Sequence, residues 1–127
     1  MAYYFAKTLD APFDQAIEKV VAALKQHGFG VLTRIDVKNT LKEKIGADFR
    51  PYVILGACNP HMAHQALQAE DKIGTMLPCN VIVQEVDGRT EVAAIDPVAS
   101  MQAIDNNALA GIATKVREEL QAVVQSL

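Results

Sequence analysis

Asp87-Gly88 constrains the fold of this chain more than any other feature, because it falls between two β-prone runs. CNVIVQEVD (79–87) precedes it and TEVAAID (90–96) follows Gly88-Arg89, so the segment reads as a hairpin. A hairpin makes neighbouring strands antiparallel and speaks against a doubly wound parallel sheet, the alternative architecture. The remaining segments are assigned by their hydrophobic periods. AYYFAKT (2–8) is short and aromatic-rich, as a first strand would be. Pro12 suits a helix start, and Phe13, Ile17, Val20, Val21 and Leu24 form an apolar stripe that Gly28 stops. The period then changes. Phe29, Val31, Thr33, Ile35 and Val37 alternate with mostly polar neighbours, which predicts a strand with one buried face. NTLKEKIG (39–46) reads as a short helix with Leu41 and Ile45 four apart.

YVILGAC (52–58) is almost continuously apolar and predicts a well-buried strand. Asn59-Pro60 and Asp96-Pro97 each couple a capping side chain to a proline at the first helical position. The first opens a helix through HMAHQALQAE (61–70), with Ala63, Ala66 and Leu67 on its inward face. IGTMLP (73–78) connects, and the second cap begins a short helix toward Met101. Leu109, Ile112, Ala113, Val116, Leu120, Val123, Val124 and Leu127 mark a long amphipathic C-terminal helix. The expected fold is α+β, a single domain over residues 1–127. Its mainly antiparallel sheet has about five strands, with the helices packed on one face.

Composition narrows function by exclusion. Half of the 127 residues are apolar and the net charge is −3, which suits a globular domain and not a disordered chain. An acidic balance argues against nucleic acid or an anionic membrane as partner. No apolar run approaches the roughly 20 residues that span a bilayer. MAYYFAKTLD has neither a basic start nor a continuous apolar stretch, so no signal peptide is expected. Two cysteines cannot build a disulfide framework, and the expected location is a reducing cytoplasm. P-loop, H-E-x-x-H, G-x-S-x-G and C-x-x-C patterns are all missing.

Both cysteines precede an asparagine, as Cys58-Asn59 and Cys79-Asn80. Cys58 closes one expected strand and Cys79 opens another, so antiparallel pairing of those strands would bring the thiols to one end of the sheet. A helix start just after Cys58 would lower its thiol pKa through the exposed amides and dipole. Asn59 and Asn80 would complete a ligand site, with Met62 or Met76 as further soft donors. His61 and His64 extend the pattern to C-x2-H-x2-H, and with Cys58 and Cys79 they offer four donors suited to zinc or copper. The bland readings stand beside these: cysteine as a small buried residue, and two solvent-facing histidines opposite the Ala63/Ala66/Leu67 stripe. His27 at a helix end needs only the dipole to explain it.

GACNP (56–60), LPCNV (77–81), PFDQAIEKV…GFGVL (12–32) and DVKNTLKEKIG (36–46) together resemble the domain-of-unknown-function family 302. The resemblance covers nearly the whole chain. It implies a curved antiparallel sheet with helices on one side, grouped with TATA-binding-protein-like folds, in small cytoplasmic bacterial or archaeal proteins that form dimers. No activity is established for that family. Its pattern centres on Cys58-Asn59-Pro60 and Leu77-Pro78-Cys79-Asn80, and leaves out His61 and His64. The likeness to TATA-binding protein does not bring DNA binding with it, since the basic groove is absent.

Three functions remain. The first is a binding or redox- and metal-sensing domain with its ligand site at Cys58, Asn59, Cys79 and Asn80. The second is a non-catalytic homodimeric interaction module whose cysteines are structural. The third is an enzyme with Cys58 as nucleophile and His61 or His64 as base.

Overall fold

In the computed structural model, which describes residues 2–127, Asp87 and Gly88 both have positive φ, 51° and 75°. A type I′ turn requires this pair of values, and Val86 pairs with Arg89 across it. The hairpin joins β4 (Cys79–Val86) to β5 (Arg89–Ile95). β1 (Tyr4–Leu9), β2 (Gly30–Asp36) and β3 (Tyr52–Cys58) complete a sheet of order β1-β5-β4-β3-β2. Every neighbouring pair is antiparallel. The fold is α+β with an open five-stranded sheet, and the parallel alternative falls.

The helices are α1 (Phe13–Gln26), α2 (Val37–Ile45), α3 (Pro60–Ala69), α4 (Pro97–Ser100) and α5 (Asn107–Ser126). A 3-10 segment, Asp71–Met76, leads from α3 toward β4. Both cap-plus-proline pairs form as expected. Asn59 Oδ1 accepts from the Met62 amide at 3.2 Å, and Asp96 Oδ1 from the Val98 amide at 3.0 Å. Gly28 follows α1 at φ 84°, a conformation that a Cβ would strain.

One face of the sheet carries the core. Val53, Leu55 and Ala57 of β3 line up with Val83, Val81 and Cys79 of β4, and Val92 and Ala94 of β5 continue the surface. Ile17, Val20 and Leu24 of α1 and Leu120 and Val123 of α5 bury against it. The α1 stripe turns slightly from expectation, with Ala16 and Ala23 inside and Val21 outside. A smaller cluster of Ala66, Ile73 and Leu109 joins α3, the 3-10 segment and α5.

Three expectations need correction. The strand from Phe29 does not bury one face along its length, because β2 is an edge strand with a bulge between Val31 and Thr33. The bulge leaves Leu32 68% exposed and turns Thr33 and Ile35 to the face opposite the core. The helix after it starts at Val37 rather than Asn39, capped by Asp36, and none of its residues is buried; Ile45 is 72% exposed. Leu67 of α3, expected inward, is exposed while Ala66 is buried.

Candidate functional site

β3 and β4 do pair antiparallel, which brings the Cys58 end of one strand to the Cys79 end of the other. The register is one residue out for a dithiol. Ala57 stands opposite Cys79, and Cys58 pairs with Gly30 on β2. The two cysteines are therefore offset along the sheet end, and the thiols are not close together. Both are free. Both also border one apolar cavity of about 30 Å³ beneath α3 and α5, together with Met62 and Met101. That volume holds little more than a water-sized occupant.

The helix-start argument for a reactive thiolate is reversed. Burial pushes the Cys58 thiol pKa up, and burial followed by the charge of Cys58 pushes Cys79 up to about 11. Most of the first-turn amides that were to lower Cys58 are occupied or missing. Pro60 has no N–H, the Met62 amide donates to Asn59 Oδ1, and the Ala63 amide donates to the Asn59 carbonyl.

His61 and His64 are both exposed on α3. Among the described residues, no group of three or more His, Cys, Asp or Glu is arranged to hold a metal ion. The four donors Cys58, Cys79, His61 and His64 therefore do not form a cage. Met76 is exposed and does not border the cysteine cavity. His27 has a definite partner, with Nδ1 3.0 Å from Glu119 Oε2, which ties the end of α1 to α5.

The asparagines separate by role. Asn59 caps α3 and packs over Gly28, where an added Cβ would lie 3.1 Å from Asn59 Nδ2. Asn80 is exposed on the other sheet face, opposite Gly56. A Cβ on Gly56 would collide with Thr33 Oγ1 and come within 2.7 Å of Pro78 Cγ. GACNP and LPCN are thus interlocking parts of one strand end, and close packing accounts for Gly56, Pro78 and Cys79.

The face opposite the core has its own pattern. Ala6, Ala93, Ile82, Ile54 and Ile35 are successive cross-strand partners from β1 to β2, one apolar row over all five strands. A parallel row holds Thr8, Glu91, Gln84 and Tyr52. Arg50 Nε donates to Gln84 Oε1 at 2.8 Å, and Gln84 Nε2 donates to Glu91 Oε1 at 2.9 Å. Tyr3, Tyr4 and Tyr52 border a concavity of about 400 Å³ there, together with Asn80 and Ile82.

A family model described as "Domain of unknown function DUF302" matches residues 5–127. The chain belongs to the DUF302 family. It is also similar to the protein in "Crystal structure of uncharacterized conserved protein DUF302 from Bacillus stearothermophilus", at 32% identity and a TM-score of 0.92. That match covers 98% of each chain, so the DUF302 resemblance and its antiparallel sheet both hold. No curated protein matches. Neither the open-face row nor the tyrosine concavity of this DUF302 chain follows from its hydrophobic periods. The available signal was Tyr52, Ile54 and Gly56 alternating with Val53, Leu55 and Ala57, but the continuously apolar run hid the second face.

Proposed function

We propose that this DUF302 protein is a non-catalytic interaction module that works through its open sheet face, with Cys58 and Cys79 as packing groups. The row Ala6–Ala93–Ile82–Ile54–Ile35 carries this reading, since it leaves an apolar band on the face that α1 and α5 do not cover. The occupant is a second copy of the chain, as the family resemblance leads one to expect. Five strands about 4.8 Å apart and at least six residues long give a flat footprint of roughly 500 Å². That is more than half of the about 800 Å² per partner in a standard interface. Sedimentation of a dilution series should show a concentration-dependent dimer. Ile54→Lys, at the centre of the row, should abolish it, and the Cys58→Ser/Cys79→Ser pair should leave it intact. A wild-type monomer at about 100 μM, well above a typical working Kd, would refute the reading.

A second reading keeps the chemistry at the cysteines. It is favoured by one observation, that Cys58, Cys79, Met62 and Met101 border the same cavity. A soft ion such as copper(I) would have to displace the thiol protons there. Anaerobic copper(I) titration followed by native mass measurement should give one retained ion in wild type and none in the Cys58→Ser/Cys79→Ser variant. Equal retention in both would end it.

A further inference from the structure

The open face carries more than an apolar band. All three tyrosines of the chain border the same concavity, although they come from two distant segments of sequence. Tyr3 and Tyr4 stand edge-to-face at one side, with ring centroids 5.1 Å apart, and Tyr52 stands at the other. Ile82, Ala93 and Ile95 form the floor. The volume of about 400 Å³ lies within the range of small-molecule sites, about 300–1,000 Å³.

Glu91 is the single charged residue among the described residues that border the concavity. It makes no ion pair among the described residues, and Gln84 Nε2 fixes its carboxylate through Oε1. Arg50 sits at the far end of that hydrogen-bonded chain and does not border the concavity. Its guanidinium is turned onto Phe49, 4.4 Å from the ring centroid, and onto Tyr52 at 5.6 Å. Aromatic faces and a fixed carboxylate over an apolar floor are the elements that favour a cation with an apolar body.

We propose that this concavity binds a small organic cation, held by the Glu91 carboxylate and the rings of Tyr3, Tyr4 and Tyr52. Ring quadrupoles attract positive charge, and the apolar floor accepts the alkyl or aryl part that an inorganic ion lacks. Anionic ligands are disfavoured because Glu91 would repel them. The site is complete within one chain, so the inference does not depend on the proposed dimer.

The test titrates benzyltrimethylammonium against its uncharged isostere neopentylbenzene and follows amide signals by NMR. Wild type and Ile54→Lys are compared, because Ile54 is outside the residues bordering the concavity. The cation should shift the Glu91, Ile82 and Ala93 amides in Ile54→Lys, and more weakly in wild type if a second copy covers the floor, and bind about tenfold more tightly than the isostere. Glu91→Gln keeps an oxygen for Gln84 and should weaken the cation about tenfold while leaving the isostere unchanged. Tyr52→Leu should weaken it by a similar factor. Equal binding of cation and isostere, or an unchanged affinity in Glu91→Gln, overturns the proposal. So does the absence of shifts in both proteins. The dimer is read separately by sedimentation, so either proposal can fail alone.

Discussion

Gly56 is the residue at which the two cysteine segments meet. Thr33 from the edge strand and Pro78 from the β4 approach both occupy the space where its Cβ would be. Gly56→Ala should therefore destabilise the protein by about 1–3 kcal/mol through overpacking, measured by urea unfolding. Cys79 gives a test by pH. Its folded pKa, about 11, lies above the ordinary thiol value of 9.0, so the unfolded chain loses its proton first. The contribution is fully present below pH 9 and is lost as pH rises toward 11, with a total of about 3 kcal/mol. Stability of wild type should fall more steeply over that window than stability of Cys79→Ala. Parallel slopes would show that the buried thiol ionises as freely as an exposed one. The residue names were legible in the sequence, but the direction of the shift was not. A helix does start after Cys58, but Pro60 and the Asn59 cap take most of its first-turn amides, and burial raises the pKa.

At the scale of elements, α5 is tied to the sheet and to α1 at its sides and end. Asp96 is buried; its Oδ1 accepts the Val98 amide, and its Oδ2 lies 3.4 Å from Arg117 Nε. Lys7 Nζ donates to the carbonyls of Gln125 and Leu127, where a cation also complements the helix dipole. His27 adds its contact with Glu119. Asp96→Ala removes a cap and a buried ion-pair partner together and should cost about 2 kcal/mol. Asp96→Asn keeps the capping oxygen and should cost about half as much, read by the same urea titration. Equal losses would assign the whole effect to the charge. α2 shows the opposite extreme. Leu41 and Ile45 stand at helical spacing, yet no residue of this helix is buried. Apolar spacing marks one side of a helix, and it does not say whether anything lies against that side.

At the scale of the whole molecule, the sheet has a covered face and an open one, and the proposals attach to the open one. If a second copy covers it, folding and association are linked by mass action, and Tm rises with protein concentration. Thermal melts over a hundredfold dilution should show that rise in wild type and not in Ile54→Lys. A concentration-independent Tm in wild type would count against the dimer as firmly as a sedimenting monomer. The same face carries the tyrosine concavity, so occupancy and association are expected to influence each other.

Sequence alone determined the element types and their order, because these follow from local chemistry. The Asp87-Gly88 turn, the two cap-plus-proline starts and the periods of α1 and α5 needed no distant partner. It also implied that antiparallel pairing of β3 with β4 would bring Cys58 and Cys79 toward one end, and the structure supplies that pairing. Tertiary structure decided everything that depends on register. A shift of one residue placed Ala57 opposite Cys79 and separated the thiols, and alternation placed Ile35, Ile54 and Ile82 in one row. Tyr4 and Tyr52 are 48 positions apart in the chain, and only the strand order β1-β5-β4-β3 brings them to one concavity. The physical reason is the two-residue period of a strand. It fixes which residues share a face, and pairing with other strands fixes which faces combine.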